Sequence, residues 1–167
     1  MKRLKVLKLI SCLYEGGSKT FKKVVEKFKV EKIEISEIQD FYKIILAQNC
    51  ESLRSLDLDF SQVRGLTDEE VKNFCIQNLS HLKQLTSLSF NFSRCEQITD
   101  QAMNDLCFQG LQYLLELKSL SLDFSSCYHV TDRGVKTLCL EGFKYLTQLT
   151  SLKVDFSSCG DRTDYNM

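Results

Sequence analysis

Between residues 53 and 58 the chain runs LRSLDL, with leucine at the first, fourth and sixth positions and polar residues between them. The same spacing, with another apolar residue allowed for leucine, returns as LTSLSF at 85–90, LKSLSL at 117–122 and LTSLKV at 149–154, each 32 residues after the last. Two looser copies precede them, LKVLKL at 4–9 and VEKIEI at 30–35. Because side chains alternate along a strand, this pattern sends Leu56, Leu58 and Phe60 to one face and Ser55, Asp57 and Asp59 to the other. A fixed period of this size marks a stacked array, whose units are too small to bury their apolar faces alone and close their cores against one another.

The last four strand motifs continue as DFS or NFS and then reach a Thr-Asp pair, at Thr67, Thr99, Thr131 and Thr163. Past the first of these, Val71, Phe74, Cys75, Leu79 and Leu82 recur near the helical period; Ala102, Leu106, Cys107, Leu111 and Leu114 do so in the next copy, and Val135, Leu138, Cys139, Phe143 and Leu146 in the third. Each set predicts one helix with one buried face. Thr or Asp just before the run suits an N-cap, and TDEE at 67–70 suits a capping box. Gly110 and Gly142 stand where the first copy has Asn78, which leaves two readings: a helix end in left-handed geometry followed by a short turn, or a continuous helix with an interior glycine. Each copy is thus expected to add one strand to a parallel sheet, with its helix on the outer side.

The 167 residues, 43% of them hydrophobic, suffice for one domain or one uninterrupted array. Lys and Arg number 22, as do Asp and Glu, so no global field draws the chain to a polyanion. The balance is uneven along the sequence: residues 1–32 carry ten basic against three acidic side chains, a net of +7. Lys22, Lys23, Lys27 and Lys29 are expected on the solvated face of one helix, a nucleic-acid patch being the alternative. Lys5 and Lys8 interrupt what would be the apolar core of a secretory signal; a Lys-rich presequence with no acid before Glu15 is a second alternative. No apolar run has membrane-spanning length. The expectation is an intracellular, cytoplasmic protein without membrane contact.

CEQITDQAM at 95–103 and CYHVTDRGV at 127–135, each after its L-x-x-L-x-L motif, resemble the leucine-rich repeat, and in particular the cysteine-containing subtype found in F-box proteins. CESLRSLDL at 50–58 is similar to that subtype's second cysteine placement. The resemblance implies an α/β solenoid of right-handed strand-helix repeats, with a parallel sheet on the concave face and helices on the convex face. Residues 1–52 would form degenerate N-terminal repeats with a basic surface, 53–148 three regular repeats and 149–167 an incomplete final one. The period of 32 is longer than the subtype's, and Cys95 lies ten residues beyond Leu85, two farther than usual. An extended strand with an extra inward Phe and about one added helical turn would account for the excess. The resemblance implies a scaffold, not an activity.

Chemistry-bearing residues fall largely on the repeat. Cys95, Cys127 and Cys159 form one column, with Val63 in the first copy, and Cys75, Cys107 and Cys139 another; both are expected as small core residues and not metal ligands. Phe60, Phe92, Phe124 and Phe156 fall in the inward phase of the strand. His81 and His129 have no assignable catalytic partner, and no phosphate-binding loop, G-x-S-x-G or kinase signature occurs. Neither an enzyme nor a cofactor is therefore expected.

The candidate site is the polar strand face, which on a leucine-rich repeat is the concave one. Its columns are Ser55, Ser87, Ser119 and Ser151; Asp57, Ser89, Ser121 and Lys153; and Asp59, Asn91, Asp123 and Asp155. Stacked carboxylates favour a basic protein partner. A ubiquitin-ligase substrate receptor and a repeat fragment of a larger, for example kinase-containing, protein are the competing readings. The sixth strand motif has no complete successor, which predicts self-association through residues 149–159 or a longer array.

Overall fold

The computed structural model describes residues 7–10, 32–36, 53–61 and 63–160, the first two stretches as backbone only. Six strands, β1 (Leu7–Ile10), β2 (Lys32–Ser36), β3 (Ser55–Asp59), β4 (Ser87–Asn91), β5 (Ser119–Asp123) and β6 (Ser151–Asp155), lie in chain order in one parallel sheet. Parallel neighbours need a crossover between them. Among the described residues three crossovers carry α1 (Asp68–Gln77), α2 (Asp100–Asp105) and α3 (Asp132–Thr137), so the molecule is α/β. Motif positions coincide across the sheet: Ile33 pairs with Leu56, Leu56 with Leu88, Leu88 with Leu120, and Leu120 with Leu152.

Burial alternates residue by residue along β3, β4 and β5, as a half-buried strand requires. Leu56, Leu58, Leu88, Phe90, Leu120 and Leu122 are buried beneath the helices. In β6 the inward positions lose this cover: Leu152 is 48% exposed and Val154 half-buried. No described strand follows β6 to supply it.

The extra phenylalanine expected inside a longer strand sits instead one residue past it. Phe60, Phe92, Phe124 and Phe156 each open a four-residue turn closed by a bond to their carbonyl from the amide of Val63, Cys95, Cys127 or Cys159. Their rings stack between copies, with centroids 4.9, 5.0 and 5.7 Å apart and planes within 18°. Phe74 and Phe90 meet the first rings edge-on. Such pairs add about 0.5–1.5 kcal/mol each beyond area burial. Residues at the third turn position, Arg94, Ser126 and Ser158, have φ of 64°, 60° and 58° although none is glycine.

Thr67, Thr99 and Thr131 are the N-caps, as expected. The latter two accept from Gln101 and Arg133 amides, while Glu70 completes a capping box at Thr67. Over the stretch that the first copy spans as α-helix to Gln77, the second and third copies pass into π turns, at Leu106–Gly110 and Leu138–Gly142, without adding residues. The first reading of this position holds in part: Asn78 and Gly110 each end a helical run and are followed by a short 3-10 turn, Leu79–His81 and Leu111–Tyr113. Gly110 has φ −125° and Asn78 the same value, so the left-handed region is not used, and the run is not a continuous α-helix. The reason for glycine is proximity: a Cβ at Gly110 would lie 2.7 Å from Leu79 Cδ2 and 3.2 Å from Cys75 Sγ, in the preceding copy.

The predicted helical faces are buried in the first two copies, joined by Met103, which the periodicity missed. In the third, Leu138 and Leu146 are buried, but Val135 and Phe143 are half-buried and Cys139 is exposed. Cys139 therefore departs from its expected core position. Each helix is covered by the next, and no described helix follows α3. Among the described residues, no helix is long and apolar enough to cross a membrane. Cys12, Cys50, Thr163 and all of residues 1–32 except the backbone of 7–10 and 32, and with them the expected basic surface, lie outside the described residues.

Candidate functional site

The polar face of the sheet is built by pairing of like with like. Ser55, Ser87, Ser119 and Ser151 stand in one row, and Asp59, Asn91, Asp123 and Asp155 in another. The middle row, Asp57, Ser89, Ser121 and Lys153, extends through the register to Glu34 and then Lys8. Lys32 and Ser36 take register positions beside Ser55 and, one residue past the paired Ile35–Leu58, the end of β3. Sequence columns drawn from the four regular copies had omitted these four residues. Aligning the two looser motifs on their apolar positions was the signal that would have found them. The predicted face residues are half-buried on β3, β4 and β5, and exposed at Ser151 and Lys153 of β6.

The acidic row has a structural task that the sequence did not reveal. Asp59, Asn91, Asp123 and Asp155 each accept, through Oδ1, the amide of the serine two residues on, at 2.8–2.9 Å. This is an Asx turn, and it bends the chain off the strand. Asparagine serves at position 91 because the turn asks only for a carbonyl-type oxygen. The bond to Ser157 holds the Asp155 carboxyl below its ordinary value, with Lys153 adding to the effect. Each carboxylate retains a second oxygen as an acceptor. Asp57 lies in the middle row, outside the Asx series.

The two cysteine columns resolve differently. Cys95, Cys127 and Cys159 thiols donate to the carbonyls of Phe60, Phe92 and Phe124 in the preceding copy, at 3.5, 3.1 and 3.0 Å. Burial, the largest cause, pushes Cys95, Cys107 and Cys127 up to about 12 and Cys75 further in the same direction. These thiols stay protonated at neutral pH, which makes them poor nucleophiles. Among the described residues, no group of three His, Cys, Asp or Glu is placed to hold a metal. His81 and His129 are both exposed, His129 beside a bridge between Thr99 and its own backbone.

A second inter-copy contact underlies the Thr-Asp signature. Asp68 accepts the Thr99 amide and hydroxyl at 2.9 and 2.7 Å, and Asp100 accepts those of Thr131 at 2.8 and 2.7 Å. The threonine caps its own helix while the aspartate beside it grips the next copy. Glu70 takes both donors of Thr67 in place of an earlier aspartate, at 2.6 and 3.1 Å. Neither a family model nor a curated protein matches this chain.

Proposed function

We propose that this chain is a leucine-rich repeat solenoid of the cysteine-containing kind, acting as a non-catalytic protein-interaction scaffold that takes a basic segment of a protein partner on the concave face of its sheet. The supporting observation is the in-register polar face, on which Asp57, Asp59, Asp123 and Asp155 lie above a fully apolar layer. Asp123 and Asp155 stand on adjacent strands about 5 Å apart, and Asp57 and Asp59 share β3, two strands from Asp123; together they favour an incoming cationic side chain. Serine hydroxyls beside them supply short-range hydrogen bonds. The face carries no Trp, Tyr or Arg among its outward positions, so binding rests on charge and is salt-sensitive.

Asp59, Asp123 and Asp155 shape their turns through one oxygen, so the test replaces all four aspartates with asparagine, which keeps that oxygen and removes the charge. Proteins captured by the native chain from its own cells are compared with those captured by the variant, at low and high salt. Loss of a salt-sensitive partner with an unchanged melting temperature supports the reading. Equal affinity of every captured partner for both forms overturns it.

A further inference from the structure

The far side of β6 ends four series of contacts that run through the rest of the molecule. The first is aromatic: the Phe156 ring is stacked on Phe124 at 5.7 Å, but is only half-buried, where Phe60, Phe92 and Phe124 are 1–2% exposed. The second is a thiol series, in which the carbonyl of each phenylalanine accepts the cysteine of the following copy. Phe156 O is its next acceptor. The third joins strand ends: Phe60, Phe92 and Phe124 amides donate to Asn91, Asp123 and Asp155 carbonyls. Phe156 N–H is next. The fourth joins the turns, Arg94 N–H to Ser125 O and Ser126 N–H to Ser157 O, and Ser158 N–H is next.

These series constrain what fits. Leucine lies over leucine and ring over ring only for a segment that runs parallel to β6 and in register with it. An antiparallel strand would bring its phenylalanine to the Leu152 end of the edge. A second copy meeting this one at the same edge is antiparallel about a two-fold axis normal to the sheet, or has its two faces exchanged about one along the strands, and either breaks the aromatic and thiol series. Presenting its β1 edge instead, a second copy runs parallel but has Ser11 at the phenylalanine position of the motif.

We infer that the edge of β6, which no described strand covers, is a docking site for an extended segment of another repeat of the same class, L-x-x-L-x-L-x-F-S-x-C, added in parallel register as a further strand. The interface it forms is continuous with the one between β5 and β6. Main-chain bonds supply part of the affinity, as in other strand additions, and Leu152, Val154 and Phe156 select the apolar side chains.

A fluorescent synthetic peptide with the sequence of residues 117–130, LKSLSLDFSSCYHV, is titrated with the purified full chain and followed by anisotropy. Saturable binding is expected, weakened at least about tenfold when the peptide carries Phe124→Ala or the chain carries Leu152→Lys, a change at a half-exposed site. A nitroxide on the peptide's N-terminus should broaden the amide resonances of Thr150 and Ser151, and one on its C-terminus those of Ser157 and Ser158. Absence of binding, the reverse broadening pattern, or indifference to both substitutions overturns the proposal. So does concentration-dependent dimerisation of the chain alone that protects the β6 amides, since a second copy would then occupy the edge.

Discussion

Asp100 holds Thr131 of the next copy with both carboxylate oxygens, one on its amide and one on its hydroxyl, at 2.8 and 2.7 Å. Asp68 does the same to Thr99. A two-residue signature that suits a helix start therefore also staples consecutive copies. Replacing Asp100 with Ala should destabilise the fold by about 1–2 kcal/mol, the charge-assisted bonds being discounted for their solvent contact. Urea denaturation measures it. Glu70→Ala, which releases only Thr67 of the same helix, should leave the contact between the second and third copies intact, as amide exchange at Thr131 would show.

The buried thiols should be distinguishable from the exposed one by chemistry. With Cys107 1% exposed and held near 12, and Cys139 exposed, a neutral-pH alkylating reagent should modify Cys139 at least about a hundred times faster, as peptide mass mapping would record. Modification of both at similar rates would contradict the packing described.

Alkali should act through the same groups. A thiol raised from 9.0 to about 12 by folding contributes stability that is complete below pH 9 and declines as pH rises through the folded value. Cys127→Val should remove part of this alkaline slope while costing about 1 kcal/mol at neutral pH, since valine already occupies the column at position 63. Melting temperatures of the two forms from pH 7 to 11 provide the comparison.

Gly110→Ala should destabilise despite alanine's better helix propensity. The new methyl would begin 2.7 Å from Leu79 Cδ2, a fully buried side chain, and overpacking of about 1–3 kcal/mol exceeds a propensity gain of about 1 kcal/mol at best. Chemical denaturation of the variant tests the sign.

Ser126→Gly should move stability the other way. Serine at φ 60° bears a Cβ in the left-handed region, and relief of that strain outweighs the added freedom of the unfolded chain by about 0.5 kcal/mol. A lower melting temperature for this variant would count against strain at the turn.

The strands, their order of burial and the helix caps were legible in the sequence because each depends on residues close along the chain. Leu56, Leu58 and Phe60 alternate with Ser55, Asp57 and Asp59, and that period of two has one physical reading wherever it occurs. The 32-residue recurrence likewise set which side chains stand in a column, since equal spacing places equal residues at equal heights. What each column does was decided by its three-dimensional contacts, several of them with the neighbouring copy. The acidic row turned out to shape Asx turns, the Thr-Asp pair to clamp two copies, and Gly110 to admit Leu79 and Cys75. The clamp and the close approach leave no local signal, because one partner lies about thirty residues away; the Asx turns are local, but the same Asp or Asn also suits the outward phase of a strand. Cys139 shows the same division: its sequence environment matches that of Cys107, but burial belongs to the helix packed on it, and α3 has none described beyond it.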